Sequence, residues 1–145
     1  SAGAGNRAIN LFLLSDIEPL MAGREPEAEA GGIPGPPAMH GTAGSGIAVA
    51  VDMMAGNPGQ FGRTLAHEIA HYLGLFHVSE ADGAVLDNLG DTSECRRAQD
   101  ADRNGLDRED CAEHGADNLM FWAKAPGIEL SEQQRAVLRA NPILR

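Results

Sequence analysis

The eleven residues from His67 to His77, HEIAHYLGLFH, contain three of the chain's five histidines and a glutamate directly after the first of them. On a helix, His67 and His71 lie one turn above the other on a single face, where two imidazoles can share one metal ion. His77 does not fit that helix, because it would sit roughly 15 Å further along the axis and far round the cylinder. Gly74 stands where the chain has to turn back, and glycine takes the left-handed conformation of a helix end without steric cost. The spacing predicts two ligands on a helix, a glycine turn, and a third ligand from beneath. Three neutral imidazoles with the fourth tetrahedral position open is the arrangement of a catalytic rather than a structural zinc site. Glu68 can point at that open position, accept a proton from water there and pass it to a leaving amine. The bland alternative is an amphipathic helix with surface histidines. Gly74 and His77, at their fixed offsets, weigh against it.

The elements that must position these residues can be read around them. The helix is expected to begin between Pro58 and Thr64 and to run to about Leu73. Leu65, Ile69, Tyr72, Leu73 and Phe76 recur at helical spacing and predict the face that packs inward. AINLFLLSDI (Ala8 to Ile17) is a continuous apolar run that reads as a buried strand, and SGIAVAVDM (Ser45 to Met53) reads as a second. Between them, Met21 to Pro37 is rich in Pro, Gly and Glu and predicts little regular structure, although its end suits a sheet edge. SEQQRAVLRAN (Ser131 to Asn141) closes the chain as a short helix with Ser131 as N-cap. The expected fold is α+β: a small twisted sheet with the histidine helix, then an irregular C-terminal part ending in a helix. One domain is expected over 1–145, divided into an N-terminal part, 1–77, and a C-terminal part, 78–145.

From Glu80 to Asp117 the chain is long, acidic and irregular. DADRNG (Asp100 to Gly105) has the carboxylate, carboxylate, amide, glycine order that starts a calcium loop, with Glu109 and Asp110 further on. The twelfth position of the full loop is Cys111 rather than glutamate, so the stretch reads either as a calcium site on Asp100, Asp102 and Asn104 or as a solvated acidic loop. Asp87, Asp91 and Thr92 are alternative ligands. Cys95 and Cys111 flank the loop at no spacing that suits zinc, and a disulfide between them is the expected state. A disulfide implies a secreted or periplasmic setting.

HEIAHYLGLFH matches the extended zinc signature of the metzincin metallopeptidases, His-Glu-x-x-His-x-x-Gly-x-x-His, at every specified position. DNLMFW (Asp117 to Trp122) resembles the methionine turn of that family. GLFH, GDTSEC (Gly90 to Cys95), a cysteine shortly before the methionine and an Asn two residues before Met120 make the chain most similar to the pappalysin-like branch. The resemblance runs from Ile9 to about Leu138. It implies zinc-dependent hydrolysis of peptide bonds, with His67, His71 and His77 as ligands, Glu68 as general base and acid, and Met120 as the base of the site. It also favours calcium in the acidic segment. Two departures stand out. Members of the branch usually have a tyrosine where this chain has Trp122, and an indole offers neither a phenol nor a metal ligand. The stretch before His67 is also shorter than the family's usual helix and additional strands, so a reduced substrate cleft or an absent upstream part is expected.

Composition limits the function classes. With 145 residues, the chain can bury one core. Net charge of −10 argues against nucleic acid and anionic membranes as partners and suits divalent cations. No apolar run approaches the length of a membrane span. Ser1, in place of an initiator methionine, reads as the trace of a removed leader, propeptide or tag. The expected protein is a monomeric zinc endopeptidase acting on proteins or peptides. The alternatives are a catalytically weak peptide-binding module of the same fold and a calcium-stabilised structural module. An intact Glu68 speaks against both, since neither needs a base.

Overall fold

The structure is a computed structural model, and it describes residues 8–17, 27–36, 42, 44–52, 56–123 and 126–145. Parts of the stretches read above, including 21–26, Pro37 and Met53, lie outside the described residues. The fold is α+β, with a three-stranded sheet and two α-helices. The chain divides into two compact units, 1–75 with 137–145, and 76–136.

In the first unit the strands are β1 (Asn10–Leu14), β2 (Ala28–Ala30) and β3 (Gly46–Ala50), in the order β1-β3-β2. β3 is central, parallel to β1 and antiparallel to β2. Ile47 and Val49 of β3 are wholly buried, as their alternation with smaller residues on a central strand requires. Helix α1 (Pro58–Tyr72) packs across β2 and β3. Its start is built from local chemistry: Asn57 accepts the N–H of Gln60 at 3.1 Å, and Pro58 occupies the first turn, where its missing N–H costs nothing. The core joins Tyr72 of α1 and the following Leu73 with Ile47, Val49 and Ile143, and Phe61, Leu65 and Ile69 pack against it. The Tyr72 hydroxyl donates to the carbonyl of Pro36 at 2.9 Å, so burying this ring leaves no polar atom stranded. Gly35 lies against the same ring, where a β-carbon would overlap it.

Two expectations need correction. The apolar run at the front is a strand, but it is not buried. Leu11, Phe12, Leu13 and Leu14 are each more than two-fifths exposed, because β1 is an outer strand with only β3 beside it among the described residues. Phe76 does not continue the inward face of the helix either. The helix has ended four residues earlier, and the Phe76 ring is half exposed.

The second unit has little regular structure and is held by side chains. Cys95 and Cys111 form a disulfide, and the Ser79 hydroxyl accepts the N–H of Cys95 at 2.8 Å. Helix α2 (Glu132–Ala140) starts in this unit with a reciprocal cap: Gln134 N–H donates to Ser131 Oγ at 3.1 Å, and Ser131 N–H donates to Gln134 Oε1 at 2.9 Å. Asp91 accepts from Ser131 Oγ and from Gln133 N–H. Those bonds hold its carboxyl below the usual range, as suits an anion at a helix N-terminus. No described helix is long and apolar enough to cross a membrane.

Candidate metal centre

The end of α1 shapes the metal ligands. Gly74 has φ +113°, in the left-handed region expected of it, and its N–H donates to the His71 carbonyl at 2.8 Å. The next N–H, from Leu75, reaches back to Ala70 at 3.0 Å. This pair of bonds is the Schellman arrangement, which satisfies two of the carbonyls a helix end leaves over. Asn141 covers another, donating from its side chain to the Leu73 carbonyl at 2.9 Å. The turn brings the Leu75 carbonyl up to the His71 ring, where it meets Nδ1 at 2.7 Å. Nδ1 must carry the hydrogen in that bond, which leaves Nε2 with its lone pair available to a metal.

His67 and His71 are buried, with ring centroids 4.5 Å apart in an edge-to-face arrangement. One ligand nitrogen from each of His67, His71 and His77 lies within 4.8 Å of the others, and this group can hold a metal ion. His77 Nδ1 is 3.0 Å from Glu80 Oε1, so a carboxylate fixes the orientation of this ring as the Leu75 carbonyl fixes that of His71. The donor set suits a metal ion: three imidazole nitrogens, two of them with their other nitrogen engaged by an acceptor. Sequence reasoning missed both supporting acceptors. Glu80, three residues after His77, carried a readable signal; the Leu75 carbonyl, a backbone atom delivered by a turn, carried none.

Glu68 follows the first ligand and sits at the edge of the sheet. Burial raises its carboxyl from the ordinary 4.5 to about 7; a hydrogen bond from the Ala30 backbone lowers it and the charge of Glu29 raises it further. A carboxyl poised near neutrality can both take and return a proton. The Ala30 and Glu29 neighbours were not anticipated from the sequence. The sequence predicts a substrate-binding edge between Gly31 and Ile47, and residues 37–41 and 43 of that stretch lie outside the described residues. Described residues of that stretch form a turn and the start of the central strand, while the antiparallel outer strand is Ala28–Ala30. The reason is register: Gly31 N–H already bonds to Gly46 at 2.9 Å, closing the ladder.

Met120 is fully buried. Its N–H is held by Asn118 Oδ1 at 2.8 Å, and its carbonyl accepts the N–H of Val78, the residue after His77, at 3.1 Å. The Phe121 N–H closes the turn on the Asn118 carbonyl at 3.1 Å. The Trp122 ring lies beside that of Phe121, with ring centroids 5.9 Å apart.

In the acidic segment, Asp100, Asp102 and Asp110 each bring one carboxylate oxygen within 4.8 Å of the others, a second group that can hold a cation. Asn104 sits in the same turn with its side-chain nitrogen donating to Asp102 at 2.7 Å. Asp87 and Thr92 bond to one another at 2.8 Å, and Asp91 serves the helix cap, so these three alternative ligands have structural partners. No family model, curated protein or solved structure matches the chain.

Proposed function

We propose that the chain is a secreted or periplasmic zinc endopeptidase that hydrolyses peptide bonds in proteins or peptides. The observation that carries the reading is the three-histidine group with a half-buried glutamate directly after its first member, poised at about 7. His67, His71 and His77 would hold the ion, which supplies positive charge that polarises a carbonyl group and makes water easier to deprotonate. Glu68 takes the proton from the attacking water and returns it to the departing amine. Its burial serves both halves of that cycle. Burial raises proton affinity enough to capture, and the Ala30 N–H restrains it enough to release. The outer edge of β2, beside Glu68, takes the substrate as an added strand, so that main-chain bonds hold it and side chains select it. Met120 would take the role that the resemblance gives it, and calcium on Asp100, Asp102 and Asn104, with Asp110, would brace the acidic segment.

The disulfide supports the extracytoplasmic setting. The negative net charge supports a protein or peptide partner rather than nucleic acid or an anionic membrane, and the protein acts as a monomer. The test is hydrolysis of a denatured protein by the zinc-loaded chain and by Glu68→Gln. The variant should keep its zinc and lose at least about a hundredfold in turnover, the scale of a lost general acid–base group. Full activity in Glu68→Gln, or loss of its zinc, would refute the assignment.

A further inference from the structure

Seven asparagines are spread along the chain, and only Asn104 is followed directly by glycine. An asparagine in that position can react with its own backbone. The nitrogen of the next residue lies within ring-closing reach of the side-chain Cγ, and glycine, with no β-carbon, leaves that approach open. Carboxylates stand at both reacting ends. The Gly105 N–H donates to Asp100 Oδ2 at 3.2 Å, and Asn104 Nδ2 donates to Asp102 Oδ2 at 2.7 Å. A third bond, from the Asn104 N–H to Asp102 Oδ1 at 3.2 Å, holds the residue between them. Asn104 and Gly105 are both exposed, so water reaches them. Gly105 has φ +104°, and a β-carbon built on it would meet nothing within 4 Å. No neighbour obstructs the turning of this peptide as a ring closes.

We infer that Asn104 is a site of self-modification, where the side-chain amide is exchanged for a carboxyl group through a cyclic imide, with Asp100 as the base. The inference is independent of the peptidase reading. Asp100 Oδ2 takes the proton of the Gly105 N–H as that nitrogen bonds to Asn104 Cγ. The Cγ–Nδ2 bond then breaks, and in the net reaction the proton lost by Gly105 leaves with Nδ2 in ammonia. Water opens the imide at either of its carbonyls. One opening gives aspartate, and the other gives isoaspartate, whose main chain is longer by a methylene. Nothing is oxidised or reduced. Either product puts a negative charge where an amide now donates to Asp102, and like charges that close repel. The group of Asp100, Asp102 and Asp110 thereby gains a fourth carboxylate beside it, inside the loop that the disulfide closes.

The test follows Asn104 by peptide mapping and mass spectrometry in calcium-free, mildly alkaline buffer made with water enriched in heavy oxygen. Heavy oxygen entering at Asn104 marks the opening of the imide. Asp100→Asn keeps an oxygen to accept the Gly105 N–H and removes the base. In the folded protein it should slow conversion by at least about tenfold, within what a positioned general base contributes. Asp107→Asn takes a carboxylate from the same loop, where Asp107 accepts from Glu109 and Asp110, and should react at the wild-type rate. With wild type and Asp100→Asn unfolded in urea, their rates should converge, because only the fold brings Asp100 to that nitrogen. Equal rates in the two folded chains, or equal slowing in Asp107→Asn, would overturn the inference. So would an intact Asn104 in folded wild type once the unfolded chain has reacted, or a difference between the chains that persists in urea.

Discussion

The carbonyl of Leu75 accepts a hydrogen bond from His71 Nδ1 at 2.7 Å, while the N–H of the same residue closes the end of α1 on Ala70. One residue thus ends the helix and sets the tautomer of a candidate metal ligand. His77 depends on Glu80 in the same manner, but through a side chain that can be changed. Glu80→Gln should lower metal affinity by roughly 10–100-fold, the usual cost of losing a group that orients a ligand. His71→Ala should abolish tight binding. Competition with a chromogenic chelator measures both. Equal affinity in wild type and Glu80→Gln would mean that His77 is oriented by something else. Because ligation needs neutral imidazoles, metal should also be released in acid.

The metal-free chain should show the partial burial of Glu68 in its stability. Its folded value, about 7, lies above the ordinary 4.5, so the folded chain binds the extra proton between these two values. Stability then falls as pH rises from about 4.5 to 7 and stays low above that. Replacing Glu68 with Gln removes the charge that burial opposes. Metal-free Glu68→Gln should therefore be more stable than metal-free wild type at pH 8, by on the order of 2–3 kcal/mol, with the advantage gone at pH 4. Urea titrations at the two pH values would check this, and a constant difference across them would contradict it.

Gly74→Ala isolates the backbone of the turn. A β-carbon there meets only ordinary contacts, 3.6 Å to Val137 and 3.7 Å to Pro34, so the penalty comes from φ +113° rather than from crowding. A loss of about 1–2 kcal/mol is expected. The Leu75 carbonyl should shift with the turn, so metal affinity should fall as well. A variant that loses stability and keeps its affinity would separate the helix end from the site.

How much of this was legible in the sequence varies from residue to residue. The histidine helix was readable because ligand spacing, Pro58 and Gly74 are all local signals that agree. β1 was readable as a strand but not as an exposed one, since burial is decided by neighbours that a strand's own residues do not specify. β2 was barely readable. Ala-Glu-Ala has weak strand propensity, and its pairing is set by β3, whose partner residues lie 17 to 21 positions further along the chain. Ser131 was readable as the cap of the last helix, whereas the return bond to Gln134 and the service of Asp91, forty residues distant, were not read.

The disulfide closes a 16-residue separation around the acidic group of Asp100, Asp102 and Asp110. Cys95→Ser with Cys111→Ser should cost about 3 kcal/mol, from loop-closure entropy restored to the unfolded chain. Added calcium should raise the melting temperature of wild type, and Asp100→Asn should reduce that gain. Differential scanning fluorimetry with and without calcium measures both effects, and a melting temperature indifferent to calcium would leave the loop a solvated one.

The outward-facing leucines and phenylalanine of β1 carry a consequence for handling the protein. A strand that shows apolar side chains along an edge that no described residue pairs with is a template on which other chains can grow as intermolecular sheet. Solubility should then be limited by this edge rather than by overall charge, which at −10 keeps molecules apart until salt screens it. Purification at high ionic strength would bring the strands within reach of one another. A lysine at Leu13, the most exposed of the four, would restore repulsion where the edge is most open.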